Sequence, residues 1–128
     1  MLYDREILKM FEVHFYEDKH GEQPIKKLLI ELRDKSHTSK NDRIQYEKIL
    51  AYIRSLENHG TRLGEPIVKH IGGDIWELRP LAHRIFFFYW KENKFILLHH
   101  FIKKTNKTPA KEIKQAERNL KDYKERNK

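Results

Sequence analysis

Cysteine is absent from the 128 residues, which excludes disulfides and thiolate metal sites and fits a reducing compartment. The opening Met-Leu-Tyr-Asp-Arg-Glu lacks the basic start and long apolar run of a secretory signal. The longest unbroken apolar runs, Ile85–Trp90 and Phe95–Leu98, are far too short to span a membrane. There is no P-loop, no dinucleotide glycine pattern and no Gly-x-Ser-x-Gly elbow, and no His/Asp/Glu spacing suits a metal. No cofactor or metal is therefore expected, and no membrane partner. Without a repeat, a low-complexity tract or a convincing linker, residues 1–128 read as one cytoplasmic domain, long enough for a single core.

Basic charge is plentiful. The net charge is +8, and residues 103–128 hold ten Lys/Arg against four Asp/Glu, a local balance of +6. Such a footprint suits a polyanionic partner such as nucleic acid, a ribonucleoprotein or an acidic protein. A solvated lysine-rich helix would carry the same charge, so charge alone does not decide.

Periodicity divides the chain into a helical and a β-rich part. Phe11–Tyr16 alternates as a first strand. Pro24 opens a helix with Ile25, Leu28, Leu29 and Leu32 on one face. Ser39, with Asp42 three residues on, caps a second helix over residues 40–59, striped by Tyr46, Ile49, Leu50, Ile53 and Leu56 and closed by Gly60 in the αL region. Residues 67–71, 75–79, 83–90 and 95–103 then read as four strands joined by short turns, an antiparallel meander. Thr108-Pro109 caps and starts a last helix with Ile113, Ala116, Leu120 and Tyr123 on its stripe. The expected fold is α+β: an antiparallel sheet with an N-terminal helical hairpin on one face and a C-terminal helix, in the order β-α-α-β-β-β-β-α.

Chemistry concentrates at one set of strand ends. Phe95–Pro109 begins as a core strand and ends in Lys103, Lys104 and Lys107 with Thr105 and Thr108. Strand-end lysine, loop hydroxyls and the N–H groups of a following helix together make an anion site; an N-cap with solvent lysines is the plainer alternative. Only one of Lys103 and Lys104 can enter a given pocket, because they point to opposite faces. Arg79 and Arg84 flank one inter-strand connection, where two guanidinium forks can clamp a phosphate, unless Arg79 simply bridges to Glu77. His99 and His100 titrate near neutrality, but they face opposite ways, so at most one serves the site.

Taken together, Gly73-Asp74-Ile75-Trp76-Glu77-Leu78-Arg79, Arg84–Phe87, Leu97–Thr105 and Lys107-Thr108-Pro109 with Glu112 and Ala116 resemble the phage-derived HigB-like branch of the RelE/ParE toxin superfamily. Phe15–Asp18 and Leu63–Pro66 extend the match over most of the chain. His100 stands where that family often has a small residue, and Met1–Met10 precedes its usual start. The resemblance implies a RelE-like fold and a type II toxin, neutralised in a hetero-oligomer by an antitoxin of HigA type with a helix-turn-helix, which alone contacts operator DNA. It further implies cleavage of messenger RNA on the ribosome without metal, the ribose 2′-OH attacking the adjacent phosphate. On that footing Arg79 and Arg84 stabilise charge, Lys103 or Lys104 contacts phosphate and His99 moves a proton. Lys69, Thr105, Lys107 and Thr108 would bind RNA, and Trp76 or Tyr89 would stack on a base. The same superfamily also contains ParE-like toxins that bind DNA gyrase without cutting, and a non-toxic nucleic-acid-binding module is a third reading.

Overall fold

A computed structural model describes residues 9–128, so that most of Met1–Met10 lies outside the described residues. The elements are β1 (Glu12–Phe15), α1 (Pro24–Lys35), α2 (Lys40–His59), a 3-10 turn (Gly60–Leu63), β2 (Val68–Gly72), β3 (Ile75–Leu78), β4 (His83–Trp90), β5 (Lys94–Ile102) and α3 (Ala110–Arg126). The order is that expected from periodicity, and the class is α+β.

Both ends of α2 follow from local chemistry. Ser39 accepts a hydrogen bond from the Asp42 backbone N–H at 3.2 Å, occupying one of the unpaired donors of the first turn. Gly60 ends the helix with φ 62° but ψ −152°. This is not the αL conformation expected; it is an extended left-hand region that is essentially glycine-only. The Phe11 ring sits against it, and a β-carbon there would meet ring atoms at 2.8 Å.

The sheet has five strands in the order β1-β5-β4-β3-β2. Strands β2 to β5 form the expected antiparallel meander, but β1 pairs with β5 in parallel, so the sheet is mixed. The reason is topological. An antiparallel pair of helices returns the chain to the end where β1 stopped, so β2 runs opposite to β1. The fourth strand of the meander, β5, then runs along β1.

Both faces of the sheet are covered. Ile25, Leu29 and Leu32 of α1 and Ile49, Ile53 and Leu56 of α2 pack on Leu78, Ile85, Phe87, Phe95 and Leu97. On the opposite face α3 lays Ala116 against Ile75, Phe86 and Phe101, and Leu120 and Tyr123 against Phe88, Ile96 and Leu98. Burial on two sides explains why β4 and β5 carry unbroken apolar runs. Polar pins hold α3 in place: Asn119 Nδ2 donates to the Leu98 carbonyl at 2.8 Å, and Tyr16 Oη donates to Asp122 at 2.5 Å.

One irregularity decides where the histidines point. Phe86 pairs with His99 but Phe87 pairs with Leu97, so Leu98 is an extra residue, a bulge. Strict alternation from Leu97 would have put His99 under the helical hairpin. The bulge turns it to the α3 face instead, and Asn119 takes up the Leu98 carbonyl there.

Candidate active site

Beyond the start of α3 at Ala110, on the face of the sheet that carries this helix, the cationic side chains gather, with Arg79 20% and Arg84 11% exposed. The centre is Glu77 on β3, only 2% exposed, flanked in the ladder by Lys69 on β2 and Phe86 on β4. Arg79 Nε lies 3.4 Å and Arg84 Nε 3.9 Å from the same oxygen, Glu77 Oε1. These are ion-pair distances without hydrogen-bond geometry: Glu77 Oε2 and both Nε atoms are buried with no hydrogen-bond partner. Burial pushes the Glu77 carboxyl above its usual range, against the opposing pull of Arg84, Arg79, Lys103 and Lys69.

Arg84 is further fixed by the β3–β4 connection. Its Nη1 donates to the carbonyls of Leu81 and His83, each at 2.8 Å. Leu81 takes a left-handed conformation, φ 56°, which turns its carbonyl toward the guanidinium and leaves its side chain exposed. Burial, and then the neighbouring Arg79, lowers the Arg84 guanidinium from its ordinary value, yet arginine stays charged at neutral pH. Lys103 is tied to the same connection, its backbone N–H donating to the Ala82 carbonyl at 2.8 Å.

His99 stands one strand over from Glu77, beyond Phe86 in the ladder. Its Nε2 meets Glu112 Oε1 of α3 at 2.8 Å. With the proton on Nε2 the carboxylate orients the ring, and Nδ1 is left as an acceptor. Beside it a cleft of about 370 Å³ is lined by Phe101, Lys104, Thr105, Pro109, Lys111 and Glu112. The resulting surface offers two guanidiniums, a carboxylate-oriented imidazole and several lysines along one rim.

The expected residues thus divide. Arg79, Arg84, Lys103, Lys69 and His99 come together on one face, and Lys104 and Thr105 line the adjoining cleft. Lys107 is exposed on the loop, where the Thr105 hydroxyl donates to its carbonyl. Thr108 does not cap α3: Pro109 is the N-cap, with ψ 135°, and no side chain caps the helix. A residue before proline avoids the helical region, which keeps Thr108 outside the first turn. Trp76 lies on the hairpin face, packed with the core there and against the His70 ring, so it does not join the arginines. Tyr89 sits at the far end of β4 beside Asn93.

Two groups were not singled out from sequence. Glu77 appeared only as a bridge partner for Arg79; that it holds both arginines needs the register of β3 on β4. Glu112 appeared only within the family motif; its bond to His99 depends on the bulge. His100 faces the other way, into a buried chain in which His83 Nδ1 meets His100 Nε2 at 2.8 Å and His83 Nε2 meets Gln45 Oε1 at 2.6 Å.

The family model for phage derived protein Gp49-like (DUF891) matches residues 39–121. That is more than half of the chain, and it spans α2, all four meander strands and most of α3. The chain belongs to the Gp49-like family, which is associated with toxins of RelE/HigB type. No curated protein matches the chain. Among the described residues, no helix is long and apolar enough to cross a membrane.

Proposed function

We propose that this protein is the toxin of a type II toxin-antitoxin pair and a metal-independent endoribonuclease that cuts messenger RNA on the translating ribosome. The observation that carries this reading is the convergence of Arg79, Arg84, Lys69 and Lys103 around Glu77 on one face of the sheet, with His99 and its Glu112 partner alongside. Intramolecular RNA cleavage needs that set of groups. A ribose 2′-oxygen attacks the adjacent phosphorus, a base takes its proton, and the P–O5′ bond breaks as the leaving oxygen gains one. The products are a 2′,3′-cyclic phosphate and a 5′-hydroxyl. The crowded phosphorane gathers negative charge, which arginines placed beforehand stabilise without reorganisation. His99 Nδ1 is the proton acceptor on offer, and Lys103 or Lys104 contacts the flanking phosphate.

The partner is an antitoxin of HigA type whose helix-turn-helix carries the operator contact. Mapping transcript 5′ ends within minutes of induction tests the proposal. New ends inside translated messages support it. Intact messages together with an induced DNA-damage response overturn it in favour of gyrase inhibition, which needs no converging phosphate clamp. Arg79→Ala or Arg84→Ala should lower cleavage by roughly 10²–10³ fold, the usual effect of removing one preorganised donor. Far-UV circular dichroism of each variant should match the parent.

A further inference from the structure

The arrangement around Glu77 differs from that of an ordinary structural salt bridge. A bridge that satisfies itself uses the bidentate fork, two parallel N–H bonds to two oxygens. Here both arginines approach one carboxylate oxygen by the Nε edge, and Glu77 Oε2 is left without a hydrogen bond. The terminal nitrogens are directed elsewhere. Arg84 Nη1 is bonded to the Leu81 and His83 carbonyls, and the terminal nitrogens of Arg79 donate to nothing among the described residues.

A carboxylate at 2% exposure costs several kcal/mol unless charge compensates it. Around it stand four cations, Arg84, Arg79, Lys103 and Lys69. The set of five therefore keeps a net positive charge, while the two guanidiniums, which would otherwise repel, sit side by side. Glu77 is too deeply buried to touch a substrate itself. What it can do is gather two guanidiniums by their inner edges.

We infer that Glu77 is a positioning residue, a buried carboxylate that gathers Arg79 and Arg84 by their Nε atoms and leaves the terminal nitrogens of Arg79 and Nη2 of Arg84 for one RNA phosphate. This rests on the nuclease reading for the identity of the ligand, but the ordering of the arginines is measurable without cleavage. In the purified full-length protein, ¹⁵N relaxation of the arginine Nε–H groups should show Arg79 and Arg84 as rigid as the backbone. Glu77→Gln, nearly the same shape without the charge, should mobilise the Arg79 signal strongly and the Arg84 signal less, because Arg84 Nη1 keeps its bonds to the Leu81 and His83 carbonyls. It should weaken a 2′-O-methyl RNA oligonucleotide by about tenfold, a change of about 1.4 kcal/mol. Glu77→Asp keeps the charge on a shorter arm; should the glutamine variant fail to fold, the aspartate variant carries the test, with a smaller shift in the same direction.

Rigid Nε–H signals and oligonucleotide affinity within twofold of the parent in the folded variants would overturn the inference. Arginines that loosen in the variants while the parent cuts no message would uphold the positioning role and sink the nuclease reading. Message cleavage by a parent whose arginines ignore the substitutions would do the reverse.

Discussion

At the scale of single residues, His83 and His100 impose a pH dependence that can be worked out from their hydrogen bonds. Gln45 Oε1 accepts from His83 Nε2–H, so His83 Nδ1 must accept, and His100 Nε2–H is the donor. Protonating both rings breaks that link. Burial is the main reason His83 is held below its ordinary value, and burial followed by His83 and His99 pulls His100 down to about 4. A histidine lowered in the folded state binds protons more readily when unfolded. Stability is therefore whole above the unfolded value of 6.5 and is lost as pH falls toward 4. The loss attributable to His100 is roughly 3 kcal/mol. Urea unfolding of the parent and of His100→Asn at pH 7 and pH 4.5 should show the parent losing about 2–3 kcal/mol more. Equal losses would contradict the hydrogen-bonded pair. His100 was visible in the sequence as a departure from the family, and His83, 3% exposed, as one more strand histidine; the bond between them was not.

Elements were legible to different depths. Helix α2 was read to the residue, because Ser39 and Gly60 mark its ends chemically and its apolar stripe runs unbroken from Tyr46 to Leu56. The meander was equally plain, since short turns leave adjacent strands no other way to pair. The parallel placement of β1 was not legible: it depends on where the helical hairpin delivers the chain, and no local residue encodes that. Nor was the bulge at Leu98, which shows no glycine or proline and no break in the apolar run. Its stability depends on Asn119, twenty-one positions away. Asn119→Ala should cost about 1–3 kcal/mol, the usual penalty for a buried carbonyl left unpaired. Because the bulge aims His99, the same variant should loosen the His99–Glu112 bond, visible as a change in the His99 ring signals by NMR. Gly60→Ala should cost at least about 1–3 kcal/mol in thermal unfolding, from left-handed strain and the clash with Phe11. A melting temperature unchanged by Gly60→Ala would mean that the Phe11 ring does not sit there.

For the whole molecule, the net charge of +8 and the +6 carried by residues 103–128 suit an RNA-rich target such as the ribosome. Sequence alone could not separate that footprint from a solvated helix. The structure adds the arginine cluster around Glu77, with Lys103 at the start of the lysine-bearing loop beside it, so that charge and candidate chemistry share one face. The sequence motif named Arg79, Arg84 and Lys103. Their convergence on Glu77 came from strand register, and the exclusion of Trp76 came from the face it packs on. The end chemistry of messages on purified translating ribosomes, parent against Arg79→Ala, separates an RNA-cutting arginine cluster from a merely structural one. Ends carrying 5′-hydroxyl and 2′,3′-cyclic phosphate are expected in the presence of chelator, with the variant slower by roughly 10²–10³ fold. Uncut messages, or cleavage unaltered by Arg79→Ala, would contradict the RNA-cutting role.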